Sequence, residues 1–218
     1  MANFLLVDDH AVVRQGIRHI ISDTYDQAKF GEACNVHEMR ELMEAENWDM
    51  VILDLALPDG NGLEVLKQLK HDHPILPVLI LSMFPEDQYA LRAIKAGAAG
   101  YLNKESAPEE LVEAIQKILQ GGEYISSSLA EELLHYARHE EDQPPHKYLS
   151  DREYQVMVLM ASGKEVKDIA EELSLSAKTI STYRRRLLDK MNMKTNAELT
   201  NYAIRNGLVW QDPKPTEG

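Results

Sequence analysis

The pattern of apolar and polar positions divides the chain into two parts with different periods. Up to about residue 120, short apolar runs alternate with longer stretches in which apolar residues recur at helical spacing. The runs NFLLV, AKFGEAC, MVILD, PVLILS and GYLN predict strands. The segments Val12 to Ile21, His37 to Glu46, Gly62 to His71, Asp87 to Ala96 and Pro108 to Gln120 predict helices. Five such βα units with strongly apolar strands imply a doubly wound α/β domain, a parallel sheet covered on both faces. In such a sheet, ligands bind at the carboxyl ends of the strands.

From Leu149 the strand signal disappears. SDREYQVMVLMASG, EVKDIAEELS, SAKTISTYRRRLLDKMN and TNAELTNYAIRNG predict four closely spaced helices, an all-α domain. Ser150, Ser176 and Thr195 are the expected N-caps, and Gly163 and Gly207 the expected C-terminal stops. Between the two parts, SSSLAEELLHYARHEEDQPPHKY predicts a helical extension followed by a linker, with the acidic run Glu140 to Asp142 as a solvated spacer. The expected organisation is an α/β domain over 1–122, a linker with helical extension over 123–147, a four-helix domain over 148–210 and a disordered tail over 211–218.

Composition narrows the class. The 218 residues carry a formal charge of −13 and are 44% hydrophobic, as expected of a soluble protein of one or two domains. No apolar run approaches the ~20 residues of a membrane span, and the N-terminus lacks the pattern of a secretory signal, so a cytoplasmic protein without a membrane partner is expected. The single cysteine, Cys34, reads as core filling. The charge is uneven: 12 Lys and Arg face 26 Asp and Glu through Tyr148, against 11 and 10 from Leu149 onward.

The first strand delivers two adjacent carboxylates, Asp8 and Asp9, to its C-terminal end, and paired acids repel unless a cation or proton is shared. The third strand ends in Asp54, the fourth in Ser82 and the fifth in Lys104. If the first and third strands are neighbours, three carboxylates converge, a set of hard oxygen donors suited to Mg²⁺. A carboxylate nucleophile, a divalent ion, a hydroxyl and an ammonium are the groups that hold a phosphoryl in transfer and then as an acyl phosphate.

At these residues the chain closely resembles the receiver domain of bacterial response regulators, through VDDH, DLALPDGNG, LS and NK at the expected strand ends. The resemblance implies a flavodoxin-like (βα)5 receiver in which Asp8, Asp9 and Asp54, helped by the Ala56 backbone carbonyl, hold Mg²⁺. It further implies that Asp54 accepts a phosphoryl group from a cognate sensor histidine kinase, that Ser82 bonds it and that Lys104 pairs with it. Tyr101 stands at the family's switch-aromatic position, turning inward as Ser82 moves toward the phosphate.

The helix SAKTISTYRRRLLDKMNMK carries six basic residues and one acid, a bias suited to a polyanion. Ile180, Leu187, Leu188 and Met191 form its inward stripe, and the short turn LSLS joins it to the preceding helix at helix-turn-helix spacing. The run from Leu149 to Leu199 resembles the LuxR-type helix-turn-helix domain of the NarL/FixJ response regulators, at LSDRE, IAEELSLSAKTI and KM. By that resemblance Ser181, Thr182 and Arg185 face base edges, and Lys178, Thr179, Arg184 and Lys190 contact phosphates. Ser181 and Tyr183 depart from the Lys and His common in the family, so its binding sequence is not transferable. Ala197, Leu199, Tyr202, Ala203 and Ile204 of the last helix would supply a dimer surface or the domain core.

The function expected is a DNA-binding response regulator, not an enzyme, that forms a homodimer on promoter DNA when phosphorylated and is able to engage RNA polymerase. Two other readings share part of the pattern. An aspartate-nucleophile phosphohydrolase of the haloacid-dehalogenase type uses similar groups, but carries its nucleophile after the first strand in a DxD pattern that VDDHAV lacks. A phosphorylation-independent DNA binder would keep the receiver as an interaction scaffold.

Overall fold

The computed structural model describes residues 2–84, 86–105, 107–138, 144–173 and 175–209. The acidic run Glu140 to Asp142 and the tail 211–218 lie outside the described residues. The chain divides into two compact units, Met1–Arg138 and His139–Gly218.

The first unit runs β1 (Asn3–Val7), α1 (Ala11–Thr24), β2 (Lys29–Ala33), α2 (Val36–Ala45), β3 (Met50–Leu53), a hairpin of β4 (Ala56–Leu57) and β5 (Gly60–Asn61), α3 (Gly62–Asp72), β6 (Val78–Ser82), α4 (Glu86–Lys95), β7 (Gly100–Asn103), α5 (Ala107–Leu119) and α6 (Ser127–Arg138). β2, β1, β3, β6 and β7 form, in that order, one parallel sheet. Phe4, Leu6, Ile52, Leu79 and Leu81 face a core closed by Ile17 and Ile21 of α1 and Leu111, Ile115 and Ile118 of α5. The alternate positions Leu5, Val51 and Ile80 are equally inaccessible to solvent. Both faces are therefore covered, which is why these strands are apolar throughout rather than alternating.

The β4–β5 hairpin, expected only as a turn, has a structural job. Asp59 at its tip accepts hydrogen bonds from the Val36 and His37 amides, while Asn35 accepts from Glu38, so two side chains satisfy the first turn of α2. Asn61 caps α3 in the same way through the Leu63 and Glu64 amides. A Cβ on Gly62 would stand 2.3 Å from the Leu55 Cα, so only glycine lets α3 start directly behind Asp54.

Two expectations are corrected here. Cys34 is not core filling: it follows β2, is half-buried and donates its thiol to Glu38 at 3.2 Å. That hydrogen bond, with burial, pushes the thiol above its ordinary pKa. The helical extension α6 packs on α4 and buries Leu129, so it belongs to the first unit rather than standing apart as a linker.

The second unit begins with a short 3-10 helix (Pro145–Tyr148), then α7 (Asp151–Ala161), α8 (Val166–Glu172), α9 (Ala177–Lys190) and α10 (Asn196–Arg205). α7 packs on α8, α9 and α10. Ser150 and Glu153 form a reciprocal capping box on α7, and Ser176 and Thr195 cap α9 and α10. Gly163, Gly207 and Asn192 take positive φ just past three of the helices, freeing each chain to turn away. No helix of the described residues is long and apolar enough to cross a membrane.

Candidate functional site

The sheet order reverses between β1 and β3, and their carboxyl ends open the crevice expected of a doubly wound fold. The Asp54 amide donates to the Val7 carbonyl at 2.8 Å, so the strand pairing itself carries Asp54 alongside Asp8. Asp8 and Asp54 are each 2% exposed, while Asp9 is open to solvent. Carboxylate oxygens of Asp8, Asp9 and Asp54 and a ring nitrogen of His10 all lie within 4.8 Å of one another.

Lys104 reaches this cluster from the end of β7. Its Nζ lies 2.6 Å from Asp54 Oδ2 and 2.7 Å from Asp8 Oδ2, with the side chain almost wholly buried. Burial alone would favour the neutral amine, but the Asp54 and Asp8 carboxylates outweigh it and hold Lys104 above its ordinary pKa. Burial raises Asp54 above the ordinary carboxylate range, and Lys104 offsets this only in part. A second carboxylate beside Asp54 adds to the upward shift. The pocket thus holds more negative charge than one lysine neutralises, and its hard oxygen donors with an open, solvated side fit a divalent cation.

The other residues named for this pocket make the following contacts. Ala56 follows Asp54 closely enough for its amide to donate to Asp54 Oδ1 at 3.1 Å. Ser82 is fully buried, and its Oγ accepts the Phe84 amide at 3.3 Å. Tyr101 is 2% exposed and donates its hydroxyl to the Phe84 carbonyl at 2.7 Å, the inward position of the ring. Phe84 in turn stacks on the buried Tyr89 of α4 at 4.4 Å.

Two further residues, Arg14 and His10, stand beside the pocket acids. Arg14 donates to the Asp8 carbonyl at 2.6 Å and pairs with Glu32. His10 places Nδ1 2.7 Å from Asp9 Oδ1 and 3.3 Å from Asp8 Oδ1. The VDDH string contained the signal for His10; Arg14 is indistinguishable in sequence from any solvated helix residue.

On α9 and its C-cap, Ile180, Leu187, Leu188 and Met191 are buried and the basic side remains in solvent. Lys178, Ser181 and Arg185 are exposed; Thr179, Thr182 and Arg184 are half-buried. Ser181 and Thr182 donate to the carbonyls one turn back, leaving their oxygens as acceptors. Arg184 donates to Asn196, and Lys190 pairs with the buried Glu153 at 2.7 Å, so these two cations also serve the domain's own packing. In α10, Leu199 and Ala203 are fully buried, which removes them from any outer surface, while Tyr202 is half-buried and bonds His146 at 2.8 Å. Ala197 is exposed and Ile204 half-buried.

Fold and site together define a receiver-type signalling domain joined to a helix-turn-helix module. Residues 4–116 match the response regulator receiver domain, and residues 147–203 match the bacterial regulatory proteins of the luxR family. The chain is 37% identical over 209 residues to the response regulator UvrY of Escherichia coli strain K12, covering 95% of this chain and 96% of that protein. It is 34% identical over 210 residues to the response regulator GacA of Pseudomonas aeruginosa, covering 96% and 98%. Among solved structures, RcsB of Salmonella enterica serovar Typhimurium bound to promoter rprA in the presence of the phosphomimetic BeF3− superposes with a TM-score of 0.64 at 25% identity, covering 93% of this chain and 98% of that one. The chain therefore belongs to the two-component response regulators with a LuxR-type DNA-binding domain, and is a transcriptional regulator rather than an enzyme.

Proposed function

We propose that Asp54 is the phosphoacceptor and that its modification by a cognate sensor histidine kinase controls DNA binding by α9. The observation that carries this reading is the buried Asp54 carboxylate, held by Lys104 at 2.6 Å beside two further acids at the sheet's switch point. An Asp54 oxygen bonds phosphorus as the P–N bond of the donor phosphohistidine breaks, and the freed imidazole takes up a proton. Asp8, Asp9, Asp54 and the Ala56 carbonyl would hold Mg²⁺, which neutralises charge on the transferring group. Lys104 pairs with a phosphoryl oxygen, and Ser82 turns its hydroxyl to another.

The geometry supplies a route for the signal. Ser82 Oγ holds the Phe84 amide and Tyr101 holds the Phe84 carbonyl, so moving Ser82 toward a phosphoryl group releases one end of that residue. Phe84 stacks on Tyr89 of α4, and Glu86 at the start of α4 bonds Ser126, which caps α6 through the Leu129 amide. Rearrangement at Ser82 and Tyr101 is thereby transmitted along α4 to α6, the helix that leads to the second unit.

In the DNA-bound state, α9 lies in the major groove of promoter DNA. Ser181, Thr182 and Arg185 meet base edges, while Lys178, Thr179, Arg184 and Lys190 meet phosphates. RcsB dimers bound to DNA support a homodimer as the active form; of the α10 residues expected at its surface, Ala197 is exposed, whereas Leu199 and Ala203 are buried. Contact with RNA polymerase and a cytoplasmic location accord with this role, as does a division into receiver (1–122, extended by the packed α6), a connecting segment up to 147, DNA-binding domain (148–210) and tail (211–218).

The test is intact-mass and DNA-binding measurement on wild type and Asp54→Ala with Mg²⁺ and a small-molecule phosphodonor. One added phosphoryl group and a gain in DNA affinity, both confined to wild type, are expected. Equal DNA binding by both proteins under phosphodonor would make the receiver a scaffold and overturn the switch.

A further inference from the structure

We infer that His10 is a protein ligand of the divalent cation held by Asp8, Asp9 and Asp54, and that it turns this site toward first-row transition metals, which accept nitrogen. The inference rests on the reading of the three carboxylates as a cation site and adds to it the one donor that is not oxygen.

His10 occupies the N-cap position of α1, with extended backbone angles of φ −89° and ψ 105°. Residues favoured there turn a side-chain oxygen to the free amides of the first turn. His10 makes no such capping bond. Its ring turns instead to the acids, placing Nδ1 2.7 Å from Asp9 Oδ1 and 3.3 Å from Asp8 Oδ1. The imidazole is thus recruited to the carboxylates at the expense of the helix end.

The spacing approaches that of a shared metal. Donor atoms of an octahedral Mg²⁺-sized ion at about 2.1 Å stand about 4.2 Å apart across the ion and closer at adjacent positions. The four candidate donors all lie within 4.8 Å of each other, so a side-chain adjustment of up to about 0.6 Å brings the widest pair onto one ion. Lys104 takes Oδ2 of both Asp8 and Asp54, while Asp8 Oδ1, which accepts the His10 amide at 2.8 Å, lies beside His10 Nδ1, as does Asp9 Oδ1. The side chain of His10 is 63% exposed, so it reaches a solvated ion without rebuilding the core.

The choice of donor sets the preference. Mg²⁺ gains little from replacing a water by imidazole, whereas affinity for nitrogen-containing sites rises from Mn²⁺ through Co²⁺ to Ni²⁺. The occupant of this pocket therefore depends on which divalent metals are at hand, and a receiver loaded with a nitrogen-preferring metal presents Asp54 to a phosphodonor with a tighter-bound counter-ion than Mg²⁺ provides.

The test uses the full-length chain as wild type, His10→Asn and His10→Ala, with thermal unfolding establishing that all three fold; asparagine also restores a capping side chain. Each protein is loaded with one equivalent of Mn²⁺ in the presence and absence of competing Mg²⁺, and directly bound nitrogen is read by electron spin echo envelope modulation. Wild type should show a nitrogen coupling that Mg²⁺ abolishes by displacement and that both variants lack. The ratio of Ni²⁺ to Mg²⁺ affinity should fall about tenfold or more in the variants, the scale expected when a metal site loses a supporting group. An unchanged ratio, or a nitrogen coupling that survives in the variants, overturns the role of His10 while leaving the carboxylate site intact. Failure of the wild type to bind Mg²⁺ or Mn²⁺ at all overturns the cation site itself, and the inference with it.

Discussion

The Tyr101 hydroxyl donates to the carbonyl oxygen of Phe84 at 2.7 Å, while the amide of the same Phe84 is held by Ser82 Oγ at 3.3 Å. One residue is thus gripped at both ends by two positions of the proposed switch. Tyr101→Phe removes one grip and keeps the buried ring. The receiver should lose about 1 kcal/mol in urea unfolding, the net value of one hydrogen bond. Phosphorylation of Asp54 should persist, while the gain in DNA affinity produced by beryllofluoride shrinks; an undiminished gain would remove Tyr101 from the signal path.

Lys104 is the only described cation paired with both buried acids of the pocket. Lys104→Met keeps the length of the side chain and leaves Asp8 and Asp54 facing each other. Without divalent metal the receiver should be destabilised by about 3 kcal/mol, the cost of removing one partner of a buried pair. Added Mg²⁺ should restore a part of that loss, which chemical denaturation with and without the metal reads directly.

In the second unit, burial alone would raise the Glu153 carboxyl, but Lys190 and the Ser150 cap outweigh it and hold its pKa below the ordinary 4.5. A carboxyl depressed on folding stabilises the native state above its unfolded pKa, and that stability is lost as pH falls through the folded value. The α7 and α9 amide signals in nuclear magnetic resonance should therefore report loosening as pH drops below about 4.5, in step with protonation of Glu153. Glu153→Gln should flatten this acid dependence, at lower stability throughout the neutral range.

Arg185 and Lys178 stand exposed on α9 but in different proposed roles. Arg185→Ala should cost about 1–3 kcal/mol on the preferred promoter and relax discrimination at one base pair. Lys178→Ala should weaken specific and scrambled DNA alike and reduce the slope of log K against log salt by about 1. Fluorescence anisotropy over a salt series separates the two.

The sequence by itself determined the features that depend on neighbours a few residues away. Apolar period distinguished strands from helices, and Ser150, Ser176, Thr195, Gly163 and Gly207 marked helix ends, because caps and turns are satisfied within three to four positions along the chain. The pocket residues were legible as strand-end residues of the right chemistry. Tertiary structure decided everything that depends on partners distant in sequence. Placing β1 between β2 and β3 brings Asp8 to Asp54, and pairing β6 with β7 swings Lys104 onto both. It also committed Leu199 and Ala203 to the core, gave Lys190 to Glu153 and turned His10 from its helix toward the acids. Residue type and period state what a side chain prefers; which partner satisfies that preference is chosen by packing and by the electrostatics of groups that only folding brings within reach.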